Sequence, residues 1–222
     1  MSVQVHPDDD YALVNENQYG KNEMWYIIEA EEGACIYCGF NGKFSKEEIK
    51  RRTLDNTLTE IMKAIPVKKG ETYFIPTGTV HAIGSGILLC EIQQNSDVTY
   101  RLYDYGRIDK FGNTRKLHIK KAIDVLKPDE NLQLPAEIKN DSDGESICKC
   151  KYFTVERYLC SGKVVIWGQL SSFTVIIVIS GSGSINVGDV TMDFMAGESY
   201  FSPAGTKPIS IMGDAEVLAV RM

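Results

Sequence analysis

The chain opens on a short alternation. Val3 and Val5 fall on one side of an extended segment, Gln4 and His6 on the other, because successive strand side chains point to opposite faces. Residues 23–40 are dense in Ile, Tyr and Gly and read as two strands around Glu31–Gly33. The period then changes. In SKEEIKRR, Ser45 is placed as a helix N-cap, with Glu48 completing a capping box. The helical pattern continues, with interruptions, through Leu54, Leu58, Ile61 and Met62 to about Ala64, and Pro66 stops it. Strands return at 71–76 and 86–94. Residues 97–115 are polar and aromatic with little period, and read as loop. A second helix is expected at about Lys116–Leu126, ended by Pro128. Residues 128–148 contain two prolines and several acidic or amide residues, the composition of a connection. From Tyr152 onward, short apolar runs separated by Gly predict strands at Tyr152–Tyr158, Val164–Trp167, Phe173–Ile179, Ser184–Val187, Ser199–Phe201 and Val217–Val220. That spacing suits an antiparallel sandwich or barrel.

One segment occurs twice. Gly70–His81 reads GETYFIPTGTVH and Gly197–Pro208 reads GESYFSPAGTKP, with Gly, Glu, Tyr, Phe, Pro, Gly and Thr at matching offsets. Repeated segments mark repeated structural units. The first copy fits G-x5-P-x-G-x2-H and resembles the second motif of the cupin superfamily. The resemblance implies a mainly β fold of tandem cupin (jelly-roll) barrels, with a few helices inserted in or after the first. The expected organisation is a metal-binding domain at 1–127, a connection at 128–148 and a smaller cupin-like domain at 149–222. Pro208 stands where His81 stands in the first copy. Proline cannot ligate a metal, so the second barrel is expected to be scaffold.

Composition narrows the classes. A net charge of −6 over 222 residues argues against a general nucleic-acid binder. No apolar run is long enough to span a bilayer. The start lacks the pattern of a signal peptide, with Asp8–Asp10 close behind Met1, so the expected location is cytoplasmic. Six cysteines include a C-x2-C at Cys35 and Cys38 and a C-x-C at Cys148 and Cys150. Cys35 lies in a strand-like run, and these read as reduced, partly buried thiols rather than a zinc knuckle.

The candidate chemistry collects in the first half. Gln4 and His6 share a strand face. Glu23 opens the next strong strand, and a Pro76–Gly78 turn delivers His81. Two imidazole nitrogens and two oxygens form a set that suits Zn²⁺, one ion per chain, with Mn²⁺, Fe²⁺, Co²⁺ or Ni²⁺ as alternatives. His118, in LHIKKAI, reads as an ordinary surface or boundary residue.

The strings SVQVHPDD, GKNEMWYII, FIPTGTVHAIG and CEIQQNSDVTYRLYDYGR, in that order, resemble the type I mannose-6-phosphate isomerases, in their short bacterial form. The resemblance implies a zinc-dependent aldose–ketose isomerase acting on a phosphosugar. It matches the metal ligands to Gln4, His6, Glu23 and His81. It makes Lys21 and Arg101 active-site cations and puts Glu91 and Asp97 on pocket-lining positions. Either acid fits the proton carrier, and the choice stays open. Two other classes share the barrel: a non-catalytic metal- or sugar-binding cupin and a metal-dependent dioxygenase. Family members carry a segment before the QVHP motif, and the position of Met1 is internal to the family. The chain is therefore expected to show an open barrel edge that pairs with a second copy or another segment, and to bind metal with weak or absent turnover.

Overall fold

The computed structural model describes residues 2–128 and 144–222. The chain divides into two compact units, Met1–Leu134 and Pro135–Met222. Met1 and most of the expected connection lie outside the described residues.

In the first unit the order is β1 (Val3–Val5), α1 (Asp9–Glu16), β2 (Glu23–Ala30), β3 (Cys35–Phe40), α2 (Lys46–Leu54), a 3₁₀ turn (Leu58–Glu60), β4 (Met62–Pro66), β5 (Thr72–Ile75), β6 (His81–Ile83), β7 (Ile87–Gln93), β8 (Tyr100–Tyr103) and α3 (Ile119–Val125). The strands form a five-stranded antiparallel sheet, β4-β3-β6-β1-β8, and a three-stranded one, β5-β2-β7. The alternation at the start of the chain decides what each face of the larger sheet carries. Val3, Val5, Ala82, Tyr100 and Leu102 pack with Ile49 of α2 and Ala122 and Leu126 at α3. The residues between them, Gln4, His81 and Arg101, are left for the other face. On that side Ile36 and Cys38 join Trp25, Ile27, Tyr73 and Ile75 of the smaller sheet in a second apolar cluster. The site lies beside this cluster.

The second unit contains β9 (Glu145–Lys149), β10 (Thr154–Ile166), β11 (Thr174–Val187), β12 (Val190–Met195), β13 (Ser199–Ser202) and β14 (Ile209–Arg221). They form one antiparallel sheet ordered β12-β11-β14-β10-β9, with β13 paired to β11. Its own apolar core includes Tyr158, Ile166, Ile176, Phe194, Ile209 and Val217. The sequence repeat is a structural repeat down to its hydrogen bonds. Glu71 accepts from Lys68 N and from the Tyr73 hydroxyl; Glu198 accepts from Met195 N and the Tyr200 hydroxyl. Gly70 N donates to Ile27 O at 2.8 Å, and Gly197 N to Val178 O at 2.9 Å.

Several sequence expectations need correction. The helix does not run to Ala64. It ends at Leu54, Asn56 turns left-handed (φ 59°), and Met62–Pro66 is an edge strand paired with β3. Pro66 is tolerated there because an edge strand leaves one row of N–H groups unused. Only half of the capping box forms: Ser45 accepts from Glu48 N, while the Glu48 carboxylate is taken by Arg51 and Arg52. The stretch 97–115 contains β8. The expected connection gives its last residues to β9. In the second unit the glycines bend strands rather than end them. Gly162, Gly213 and Gly183 lie in register across β10, β14 and β11. A Cβ on Gly183 would stand 2.0 Å from Met212 O, so only glycine lets these backbones approach. Two pairs of expected strands therefore merge, into β10 and β11. The strand β12 was not foreseen. Among the described residues no helix is long and apolar enough to cross a membrane.

Candidate metal centre and active site

Three segments converge on one buried point. His6 follows β1, Glu23 begins β2 and His81 begins β6. Their exposures are 1%, 0% and 0%, and their ligand atoms all lie within 4.8 Å of one another. The His6 Nδ1 is 2.8 Å from Val98 O, and the His81 Nδ1 is 2.9 Å from Thr79 O. Each ring therefore donates from Nδ1 to a carbonyl, which leaves an Nε2 lone pair facing inward. The two Nε2 atoms meet the Glu23 carboxylate, at 3.0 Å from His6 and 3.5 Å from His81. Lone pairs facing lone pairs without water is an unfavourable arrangement unless a cation lies between them. His6 Nε2 and Glu23 Oε2 are buried with no hydrogen-bond partner. Gln4 closes the set, its side-chain amide 3.3 Å from His81 Nε2. A half-turn of that amide presents Oε1 to the same point. The four residues thus fit a divalent cation, and nitrogen and oxygen donors in this mixture fit a transition metal.

The surrounding charges are arranged with care for sign. Lys21, 7% exposed, donates to Glu23 Oε1 at 2.6 Å and lies 3.7 Å from Glu91 Oε1. Burial alone would raise the Glu23 pKa. The Lys21 ammonium beside it opposes this, and the net shift holds Glu23 below the usual carboxylate range. Glu91 goes the other way. It stands opposite Trp25 on β7, and burial, then the Glu23 charge, raise its pKa against the partial relief from Lys21. Burial lowers His81 to about 4, keeping its ring neutral. Trp25 sets its ring edge-on to His81, with centroids 5.4 Å apart.

Arg101 is paired with Gln4 across β1 and β8. It donates from Nε to Ser2 Oγ and from Nη1 to Lys116 O, while its backbone N–H donates to His118 Nδ1. Burial, then Arg115, lower its pKa. Arg115 and Arg107 are themselves held by Asp104. His118 is thus more than a surface residue: it ties the Arg101 strand to α3. Asp97 is exposed in the loop after β7, and no hydrogen bond or ion pair joins it to the cluster. All six cysteines are free. Cys35 and Cys38 lie three apart on one strand, facing opposite ways, and burial pushes Cys38 up to about 12.

The sequence reading missed the carbonyls of Val98 and Thr79, which orient the two rings. It also missed Asn22, Gln94 and Asp9. Backbone carbonyls leave no mark in a sequence, and amides 72 positions apart carry no local pattern.

Known proteins resemble this chain in sequence and in fold. Residues 145–222 match the family model "Mannose-6-phosphate isomerase, cupin domain". The chain is 39% identical over 223 residues to the mannose-6-phosphate isomerase ManA of Bacillus subtilis, covering 98% of this chain and 70% of that one. It is likewise 39% identical to the Streptococcus mutans enzyme of that name, over 99% of this chain and 69% of the relative. The crystal structure of the mannose 6-phosphate isomerase from Bacillus subtilis superposes with a TM-score of 0.91 at 32% identity, covering all of this chain and 71% of that one. A putative mannosephosphate isomerase from Archaeoglobus fulgidus, at 19% identity and a TM-score of 0.75, shares the fold. By sequence and by structure, this chain belongs to the mannose-6-phosphate isomerase family.

Proposed function

We propose that the chain interconverts mannose 6-phosphate and fructose 6-phosphate through an enediol. The observation that carries this reading is the convergence of His6, Glu23 and His81, with inward lone pairs, beside a buried Lys21 and a half-buried Glu91. Zn²⁺, one per chain, suits the Gln4, His6, Glu23 and His81 donors. Bound there, it would supply Lewis acidity toward substrate oxygens.

The reaction moves one proton between C2 and C1 and another between the two oxygens. Glu91 is the better placed carrier. It faces the cluster, and its raised pKa suits a group that must take and return a proton near neutral pH. Asp97 has the weaker claim, being exposed and apart. Lys21 balances Glu23 and is positioned to steady an enediolate. Arg101 keeps guanidinium N–H groups for the substrate's anionic oxygens. These groups also distinguish an isomerase from a metal- or sugar-binding cupin, which has no need of a base beside a buried ammonium. Six free thiols fit a reducing compartment, the cytoplasm.

The test is deuterium incorporation at C2 of mannose 6-phosphate in D₂O, with Zn²⁺ and after chelation. Metal-dependent exchange supports the reading. A Zn²⁺-loaded protein that exchanges no deuterium would overturn it in favour of a binding protein.

The open edge belongs to the same proposal. Among the described residues β7 pairs only with β2, and Leu88 on it is 54% exposed. An apolar edge with unused N–H and C=O groups is a template for pairing, and a second copy is the occupant proposed. Sedimentation that stays monomeric at rising concentration would count against it.

A further inference from the structure

Four segments bear the proposed chemistry: the loop into β2, the Pro76–Gly78 turn, the end of β7, and the start of α1. One part-buried amide network joins all four. Gln94, 8% exposed, follows β7. Its Oε1 accepts from Asn22 N at 2.9 Å and Asn22 Nδ2 at 2.6 Å. Its Nε2 donates to Asp9 Oδ1 at 3.2 Å. Its backbone N–H donates to Asn22 O at 3.1 Å. Asn22 Oδ1 in turn accepts from Thr77 N at 3.1 Å. Asp9 Oδ1 accepts from Gly20 N at 2.8 Å. Each polarity is fixed by its neighbour. The Asp9 carboxylate can only accept, so it sets which end of the Gln94 amide faces it. That choice sets the end of Asn22 facing Gln94, and so the end facing the turn.

The consequences reach the site through short stretches of chain. Asn22 lies between Lys21 and Glu23. Thr77 is four residues before His81. Gln94 is three residues after Glu91, and Asp9 three residues after His6. Asn22 is bonded directly to Lys21 and Glu23, and Thr77, Gln94 and Asp9 each lie three or four residues from a member of the cluster. Resting on the isomerase reading above, we propose that Gln94 and Asn22 are positioning residues that hold Lys21, Glu23, Glu91 and His81 in one register. A packed polar network of this kind has one low-energy arrangement, because reversing any amide sets like groups facing each other, at a cost that partial burial raises.

The test uses the full chain. Gln94→Glu puts a carboxylate oxygen against Asp9 while keeping shape and the acceptor for Asn22. Asn22→Asp keeps the acceptor for Thr77 and removes the donor to Gln94. Each variant is expected to lower Zn²⁺ affinity about tenfold or more, read by competition with a chromophoric chelator. Each is also expected to lower kcat by more than KM changes. A purely structural role would lower the melting temperature while leaving Zn²⁺ affinity and kcat of the folded protein within about twofold of the parent. That result would overturn the proposal. Because Zn²⁺ affinity is read without turnover, an inactive parent would sink the isomerase reading and leave this test intact.

Discussion

Glu23 and Glu91 reach for the same ammonium group, yet their surroundings push them apart. Lys21 keeps Glu23 ionised against its burial, while burial and the Glu23 charge raise Glu91. A pair of carboxyls separated this way suits the proposed division between ligand and proton carrier. The base form of Glu91 is lost as pH falls through its raised pKa. The acid limb of kcat/KM should therefore lie above the ordinary glutamate range of about 4.3. Glu91→Gln should remove about a hundredfold or more of kcat while leaving Zn²⁺ affinity nearly intact. An acid limb that persists unchanged in residual Glu91→Gln activity would give the role to another group. His81 makes a second pH prediction, for the metal-free protein. Burial depresses it from 6.5 to about 4, so the unfolded chain binds the proton more readily. Stability is full above the unfolded value and is lost as pH falls from about 6.5 toward 4, on the order of 3 kcal/mol in all. Urea midpoints of the chelated protein at pH 8, 6 and 5 measure this, and His81→Asn should flatten the trend.

Among elements, the loop between α1 and β2 carries more constraint than its length implies. Asn17 caps α1 in the left-handed region, Lys21 N donates to Pro7 O, and Gly20 is pressed against the turn before α1. A Cβ at Gly20 would stand 2.6 Å from Asp8 C and Asp9 N, both backbone. Backbone cannot yield as a flexible side chain can. Gly20→Ala should therefore cost about 1–3 kcal/mol and also weaken Zn²⁺ binding, since the same loop carries Lys21 and Glu23. Gly205 has nothing within 4 Å of its Cβ position. Gly205→Ala should cost only the left-handed backbone penalty, about 1 kcal/mol, with no effect on metal. Thermal melts and chelator competition on the two variants separate these outcomes. The same contrast explains what the sequence discloses. Strand faces were legible at β1 because period two sorts Val3 and Val5 from Gln4 and His6 without outside help. The ligand set was legible because a Pro-Gly turn aims His81. The left-handed Asn56, the glycine row across β10, β14 and β11, and the amide hub depend on partners distant in the chain. No local pattern could announce them.

At the scale of the molecule, one barrel design is used twice, and candidate metal ligands are gathered in only one of the two copies among the described residues. Both copies of the repeat bind their Glu to a Tyr hydroxyl and a backbone N–H. Only the first ends in a histidine, and among the described residues the cluster His6, Glu23, His81 is the one group arranged for a metal. The two tryptophans happen to divide between the units: Trp25 is fully buried against His81, and Trp167 is 67% exposed. A Trp167→Phe variant therefore leaves a single emitter beside the proposed ion. A ligand that binds only the folded state stabilises it by about 2.7 kcal/mol at a hundred times its Kd, which in a domain this size is a shift of several degrees. The Trp25 melting midpoint of Trp167→Phe should rise by that amount with Zn²⁺ and fall back on chelation. In Glu23→Gln, where the carboxylate that draws the ion is gone, the Zn²⁺ shift should vanish. A Trp25 midpoint indifferent to Zn²⁺ in the parent, with the ion shown bound by metal analysis, would move the metal away from these four residues.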